Sequence, residues 1–354
     1  MEQAKDIEVE AVYVRNLLLD VLSSKEAQTC DAILLSGGLD TSIASEAMLT
    51  MTQGTSGLRK GITVTIDPAE NETARQNNLF TEQPQDVHYA TKIAQKLKLE
   101  HHVLTPTLDE LISGPMMELC IKVLRTFEGM ELRNAVVIAT ALSHAKGLGC
   151  QRVCTGDGAD ELFAGYSFMH SMSDEKLAEY TIRMAKTMKF CAFPLAQAIG
   201  IEVWSPYLDP RVVDYAVSER GNRRELKIGQ FGGLLQGKLV LRMAYPEVVS
   251  AGRKKAAIEH GCGTTVVPAL MDLTIPDEEF AVEKAKALED CDIVVRSKEH
   301  LAYFRVFKKA VLESDLVGRQ RYVGAVCPDC KFALRNGGSS NYCDVCGLYP
   351  VNSP

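Results

Sequence analysis

The sequence predicts an α/β protein: a twisted parallel sheet flanked by helices, a helical C-terminal half and a small appended zinc ribbon. Three observations carry this. Short apolar, β-branched runs alternate with helical periodicities of roughly 12 residues, the pattern of βαβ units. Two glycine-rich acidic stretches, LLSGGLDTS at 34–42 and TGDGADELFAGY at 155–166, each follow such a run. Near the C-terminus, four cysteines are spaced as Cys327-x2-Cys330-x12-Cys343-x2-Cys346, which suits tetrahedral Zn²⁺.

Residues 7–25 place Val9, Val12, Val14, Leu17, Leu18, Val21 and Leu22 at helical spacing, so the chain opens on a helix. DAILLS (31–36) is a buried strand bounded by turn formers, and LDTSIASEAMLTM (39–51) has helical periodicity. KGITVTID (60–67) is a β-branched strand, DVHYATKIAQKLKL (86–99) an amphipathic helix and EHHVLTPT (100–107) an edge-like strand. ELISGPMMELCIKVLRTF (110–127) and RNAVVIATALSHAKGLG (133–149) are expected to be helices, and QRVCTGDG (151–158) a short strand ending in glycines. From about 159 to 320 the chain is mostly helical in pattern, with breaks expected at FPLAQ, SPYLDP, GQFGG and GCGTT. After RQRYVGAV the composition changes to CPDCKFALRNGGSSNYCDVCGLYP. The expected division is an N-terminal helix (1–29), a main domain (30–321) and a zinc ribbon (322–354).

The hydrophobic fraction of 46% and charged fraction of 24% exclude a disordered or fibrous class, and there is no run of about 18 apolar residues to span a membrane. MEQAKDIEVEAVYVRN is acidic and has no apolar h-region, so it reads as neither a secretory signal nor a transit peptide. A cytoplasmic location is expected. Of eleven cysteines, four cluster and the rest, such as Cys154, Cys191 and Cys262, are scattered singly, as in the reducing cytosol. A net charge of −7 gives no global attraction to nucleic acid or anionic lipid. The local basic stretches are Arg223-Arg224, Arg253-Lys254-Lys255 and Arg319 to Arg321.

In a parallel sheet, ligands bind outside the carboxyl ends of the strands, where loops and helix N-termini expose N–H groups. Ser36-Gly37-Gly38-Leu39-Asp40-Thr41-Ser42 lies at such an end. Its glycines admit an anion close to the backbone, and Ser36, Thr41 and Ser42 add hydroxyl donors. Asp40 would repel a phosphate unless Mg²⁺ lies between them. Taken alone, the stretch also fits a plain strand-to-helix turn with Asp40 complementing the helix dipole. The second loop places Asp157, Asp160 and Glu161 within five residues, a density of carboxylates that needs cations or solvent.

These two loops resemble those of the synthetase domain of asparagine synthetase and its relative β-lactam synthetase, within the PP-loop ATP pyrophosphatases. SGGLDTS is similar to that family's SGG-x-D-[ST]-S loop, and TGDGADELFAGY to its [ST]-G-[DE]-G-[AS]-D-E-x-F-x-G-Y signature. Weaker similarity extends over roughly 30–265. IEVWSPYLDPRVVDYA (201–216) resembles the family's E-x-R-x-P-F-L-D segment, and Arg253-Lys254-Lys255 with Gly261 and Gly263 resembles its R-x-K element and spaced glycines. The resemblance implies an adenine-nucleotide α-hydrolase-like fold and an ATP-dependent amide-forming ligase. A carboxylate attacks the α-phosphate of ATP, pyrophosphate leaves, and a nitrogen nucleophile attacks the acyl-adenylate. By the same resemblance, Ser36 to Ser42 with Gly156 hold the pyrophosphate end and Asp40 with Asp160 carry Mg²⁺. Asp157 handles a proton or contacts metal, and Lys255 neutralises transition-state charge.

The departures are informative. The family's glutaminase domain begins with a nucleophilic cysteine behind Met1, whereas here Glu2 follows Met1 and the loop begins at residue 36. Ammonia is therefore expected free or from a separate glutaminase partner, or the nucleophile is an amine on a second substrate. Where the family has I-R-x-S-x-P, this chain has Leu132-Arg133-Asn134-Ala135; Arg133 matches and can take a carboxylate or phosphate. Glu202 fits E-x-R, but Trp204 stands at its arginine. Aspartate is the favoured acid.

The four cysteines would form a closed structural zinc site, contributing on the order of 10 kcal/mol of folding free energy to a segment too short for its own core. His101-His102 is expected to be structural. Two rival readings stay open. One is a PP-loop enzyme that thiolates or aminates tRNA, with the acidic net charge against it. The other is a non-catalytic nucleotide-binding scaffold, opposed by the intact Asp40, Asp157, Asp160 and Lys255.

Overall fold

The apolar runs expected to be strands are strands, and a fifth joins them. In the computed structural model, which describes residues 2–50, 56–67, 70–80, 84–313, 325–334 and 341–351, β1 (Ala32–Leu34), β2 (Lys60–Val64), β3 (Glu100–Leu104), β4 (Arg152–Cys154) and β5 (Glu202–Trp204) form one parallel sheet. Its order is β3–β2–β1–β4–β5. The register sets Ala32 opposite Lys60 on one side and Val153 on the other, and Cys154 opposite Trp204. Ala32, Ile33, Val153 and Cys154 are fully buried, as apolar strands covered on both faces should be. The chain builds outward from β1 to β2 and β3, then returns to the other side of β1 with β4. That reversal opens a crevice between the carboxyl ends of β1 and β4, the place where parallel sheets take ligands.

By its contacts the chain divides into two compact units. The first comprises residues 1–65, 85–104 and 141–261 and contains the sheet. Its opening helix α1 (Glu2–Leu22) buries Val14, Leu18, Val21 and Leu22 along one stripe and leaves Val9 and Val12 exposed; it packs on the helix Leu239–Ala244. α2 (Leu39–Thr50) follows β1 and is buried nearly all round, including Ser42, Ser45 and Glu46, which identifies it as a core helix rather than a surface one. α3 (Asp86–Leu97) ends at Lys98 in the left-handed conformation. Val21, Ile33, Leu35, Ile43, Phe163, Tyr207 and Leu241 belong to one apolar core, each side chain contributing about 1.5–3 kcal/mol by burial.

The second unit comprises 66–84, 105–140 and 262–354. Residues 110–127, expected as one helix, are two: Leu108–Ser113 and Pro115–Leu124. Pro115 lacks the N–H to continue the first helix but is well placed to start the second. At Gly114 a Cβ would fall 2.2 Å from the Glu110 carbonyl oxygen. α4 (Gly129–Gly147) begins in this unit. Phe127 packs against Phe304, Phe307 and His300, the last three all on α7 (Lys298–Phe307).

The C-terminal half is less purely helical than its pattern. GQFGG, expected only as a break, is the turn of an antiparallel hairpin, β6 (Ile228–Phe231) and β7 (Leu234–Gly237). Gly232 and Gly233 take φ of +60° and +80°, the requirement of a two-residue hairpin loop. FPLAQ is no break, because Pro194 sits in the first turn of the helix Ala192–Ile199, where its N–H is not needed. α5 (Ala159–Leu162) follows β4, and α6 (Leu239–Ala244) follows the hairpin. The ribbon boundary expected between 321 and 322 lies outside the described residues. No helix among the described residues is long and apolar enough to cross a membrane.

Candidate active site

The loop after β1 is held from several sides. Gly37 has φ +68°, and a Cβ there would meet Tyr89, Ala90 and the Asp86 carbonyl at 2.7–2.8 Å, so the loop lies directly on the first turn of α3. Ser250 Oγ donates to the Gly37 carbonyl (2.6 Å). Arg253 Nη1 donates to the Ser36 carbonyl (3.0 Å) while Nη2 pairs with Asp86 (2.6 Å). Ser36 Oγ accepts the Gly38 N–H at 3.2 Å and lies 3.3 Å from Thr41 Oγ1. Leu39 is buried, and Asp40 stands in the first turn of α2. Ser42 is different: its hydroxyl turns into the core and donates to Glu46 (3.1 Å), so it belongs to the support of the loop.

The loop after β4 approaches this one closely. At Gly156 a Cβ would sit 3.0 Å from the Asp40 side chain. Asp157 Oδ2 accepts from Thr155 Oγ1 (2.9 Å), and its carbonyl accepts from Ser205 Oγ (2.6 Å). Tyr207 OH donates to the Asp40 carbonyl (2.9 Å). Asp40 and Asp160, 120 positions apart in sequence, are joined by a residue that the motifs did not point to. Lys238 Nζ is 2.5 Å from Asp40 Oδ2 and 2.7 Å from Asp160 Oδ1. Lys255 Nζ reaches Asp160 Oδ2 at 3.1 Å and lies 5.8 Å from the Tyr166 ring centre. Gly165 makes room: a Cβ there would fall 1.8 Å from Asp160 Oδ1 and 2.5 Å from Lys238 Cε.

Burial pushes the Asp40 carboxyl up, Lys238 countering only in part. Burial also acts on Asp160, but Lys238 and Lys255 together outweigh it and its pKa is lowered. Burial raises Asp157 to about 7, aided by Glu161, Asp160 and Asp40 against the hydrogen bond from Thr155. Asp40 and Asp160 thus meet Lys238 and Lys255, while Asp157 and Glu161 accept from the neutral hydroxyls of Thr155 and Tyr166. Asp40 Oδ1 is buried without a hydrogen-bond partner, and Asp160 Oδ1 meets Lys238 without hydrogen-bond geometry. Hard oxygen donors with unfilled lone pairs are what Mg²⁺ takes, so Asp40 and Asp160 fit that ion.

Two other candidates are paired with partners outside the two loops. Glu202 is at the amino end of β5, the end away from the two loops, paired with Arg152 across the β4–β5 register. Arg133 is in the second unit, where Nη1 meets both oxygens of Glu299 at 2.6 and 2.8 Å. Lys238 and Asp86 carry no motif signature, whereas Arg253 and Tyr207 lie within the R-x-K-like and P-F-L-D-like segments, which gave neither of them a role. The only sequence signal for Lys238 was the excess of carboxylates in the two loops, which one lysine does not balance.

Cys327, Cys330, Cys343 and Cys346 are buried, with sulfurs within 4.8 Å of one another. Cys327 to Cys346 is 3.7 Å and Cys330 to Cys343 is 3.6 Å. Thiolates at ~2.3 Å from a tetrahedral zinc lie about 3.8 Å apart, whereas a disulfide needs ~2.05 Å. The cluster fits zinc and not two disulfides.

Residues 27–193 match the model of the asparagine synthase family. The chain is 26% identical over 298 residues to a probable glutamine-hydrolysing asparagine synthetase of Schizosaccharomyces pombe, covering 78% of this chain and 51% of that protein. It is 27% identical over 293 residues to the glutamine-hydrolysing asparagine synthetase B of Escherichia coli, covering 78% and 49%. A probable glutamine-hydrolysing asparagine synthetase of Dictyostelium discoideum is 24% identical over 300 residues, with 78% and 51% covered. The chain spans about half the length of these curated relatives.

Proposed function

The chain carries an asparagine synthase-like synthetase region, and from that premise we propose that it is an ATP-dependent, amide-forming ligase. The observation that carries the proposal is the buried meeting of Asp40, Asp160, Lys238 and Lys255 where the loops after β1 and β4 converge. Neither loop alone makes a site for a polyphosphate and its cation; together they supply oxygen ligands and glycine-lined backbone, to which Lys238 and Lys255 add positive charge.

In the proposed reaction, a substrate carboxylate oxygen bonds to the α-phosphorus of ATP and the bond to the β-phosphate oxygen breaks, releasing pyrophosphate. Ammonia or an amine then attacks the acyl carbon, the C–O bond to AMP breaks, and the amide leaves with AMP. The loop of residues 36–42, with Gly156 packed beside Asp40, holds the pyrophosphate end. Lys255 and Lys238 offset the charge that gathers on the departing phosphates. Asp157, its carboxyl raised to about 7, takes the proton the nitrogen sheds. Bound Mg²⁺, held by Asp40 and Asp160, would neutralise the triphosphate. Aspartate is the first acid to test, because the relatives' names are those of asparagine synthetases.

A pyrophosphate-release screen with ATP, Mg²⁺ and a panel of carboxylic acids, with and without ammonia, tests this. Aspartate plus ammonia should yield equimolar AMP and pyrophosphate. Release with another acid would keep the ligase and replace the substrate; none with any acid or amine would remove the ligase. Asp160→Asn should lower release by about 10³-fold, the scale of an electrostatic group in a buried site, while retaining the wild-type circular dichroism spectrum.

A further inference from the structure

The ribbon has no assigned task, and its contacts within the second unit give it one. The knuckle Cys343 to Cys346 is seated on two segments at once. On one side, the Val345 carbonyl accepts the Phe127 N–H (2.9 Å) and the Thr126 hydroxyl (3.1 Å). Gly347, at φ +72°, lies so close to Glu128 that a Cβ would fall 2.2 Å from its Cγ. Glu128 in turn caps α4: its carboxylate accepts the N–H groups of Met130 (3.0 Å) and Glu131 (2.5 Å). On the other side, the Arg296 guanidinium donates to the Cys346 carbonyl and lies 3.8 Å from its sulfur, and it also pairs with Asp329 (2.7 Å). The Arg296 N–H donates to His300 Nδ1 (3.0 Å), and the His300 ring stacks on Phe127 at 4.6 Å.

Both segments lead to one ion pair. Arg133 lies one turn into α4 beyond the Glu128 cap. Glu299 immediately precedes His300, and its carboxylate is so near the start of α4 that a Cβ on Gly129 would meet it at 2.8 Å. The ribbon is bonded to what stands just before each partner.

We propose that the knuckle is an internal clamp: closed on zinc, it locks the first turn of α4 to the first turn of α7 and so fixes how Arg133 is presented by Glu299. Arg133 and Glu299 are held in position by Glu128, Arg296 and Gly347, which are positioning residues. Described ribbon residues 325–334 and 341–351 bury little besides their own cysteines, Leu334 and Val351, so the fold of the clamp depends on its metal.

Hydrogen exchange of the full chain, with zinc content measured, tests the clamp. Removing zinc with a chelator should speed exchange about ten-fold or more in 126–136 and 294–304 as well as in the ribbon, with α2 unchanged. Acceleration confined to 325–351 would overturn the proposal. Gly347→Ala covers the case in which the zinc-free chain unfolds throughout. It keeps all four thiolates, should retain one zinc per chain, and should still speed exchange at 129–133; wild-type exchange there with zinc bound overturns the clamp.

Discussion

Lys238 is the residue on which the site turns. It is 4% exposed, sits between two carboxylates, and holds φ +59°, a left-handed conformation uncommon for a residue other than glycine. Lys238→Met would leave Asp40 and Asp160 facing each other with Lys255 alone, at a cost of about 3–5 kcal/mol. Added Mg²⁺ should return part of that stability, because a ligand bound only by the folded state shifts the unfolding midpoint. The urea midpoint of the variant is therefore expected to rise with Mg²⁺ well beyond the wild-type response; equal responses would separate the two aspartates from the metal. Lys227 offers a contrast. It too is fully buried, but Thr181 Oγ1, Ala216 O and Asn222 Oδ1, its hydrogen-bond partners, are neutral, and burial lowers its pKa from 10.5 to about 7. Between those values the unfolded chain holds a proton that the folded chain lacks, so stability rises with pH across that window and is flat below it. From pH 7 to 9 the gain is on the order of 2 kcal/mol. Urea titrations should show this slope in the wild type and its loss in Lys227→Met. Both acidic loops, Asp40 and Lys255 were legible in the sequence because each sits in a short contiguous pattern; Lys238 was not, since its role exists only once distant segments meet.

At the scale of elements, the loop after β1 owes its shape to α3. Arg253 ties the Ser36 carbonyl to Asp86, both groups buried, and burial raises the Asp86 carboxyl against the pull of Arg253. The carboxylate also occupies the space beside Gly261, where a Cβ would come within 2.2 Å. Arg253→Gln should therefore cost about 3–5 kcal/mol and weaken nucleotide binding, measured by urea unfolding and by ATP titration. Unchanged stability would mean that Asp86 finds another partner. The helix and strand periods around this loop were readable from apolar spacing. The β6–β7 hairpin was not, because its strands are four residues each and half exposed at the tip, with Leu234 and Leu235 uncovered, too short for a period of two to stand out. Glu202 matched a motif by letter, yet its position in β5 places it with Arg152 at the amino edge; a one-dimensional pattern does not say which end of a strand a side chain occupies.

Over the whole molecule, the sequence divides by composition and the structure by contacts, and the two divisions differ. The cysteines mark a change of composition near 322, whereas the ribbon is bonded to Thr126, Phe127, Val294 and Arg296 of its own unit. A chelator strong enough to take zinc should release one ion per chain in a colorimetric assay and lower the thermal midpoint. No release would mean that the four thiols hold no metal. The sheet topology also has a consequence for synthesis. Strands β1 to β3 and Asp40 leave the ribosome first, Asp160 follows, and Lys238 comes 78 positions after that, roughly 4–16 s later at 5–20 residues per second. For that interval two carboxylates destined for one buried spot exist with no lysine to join them. The two aspartates thus gain the lysine that bridges them only after the β6–β7 hairpin has been made, and until then a divalent cation is the counter-charge open to them.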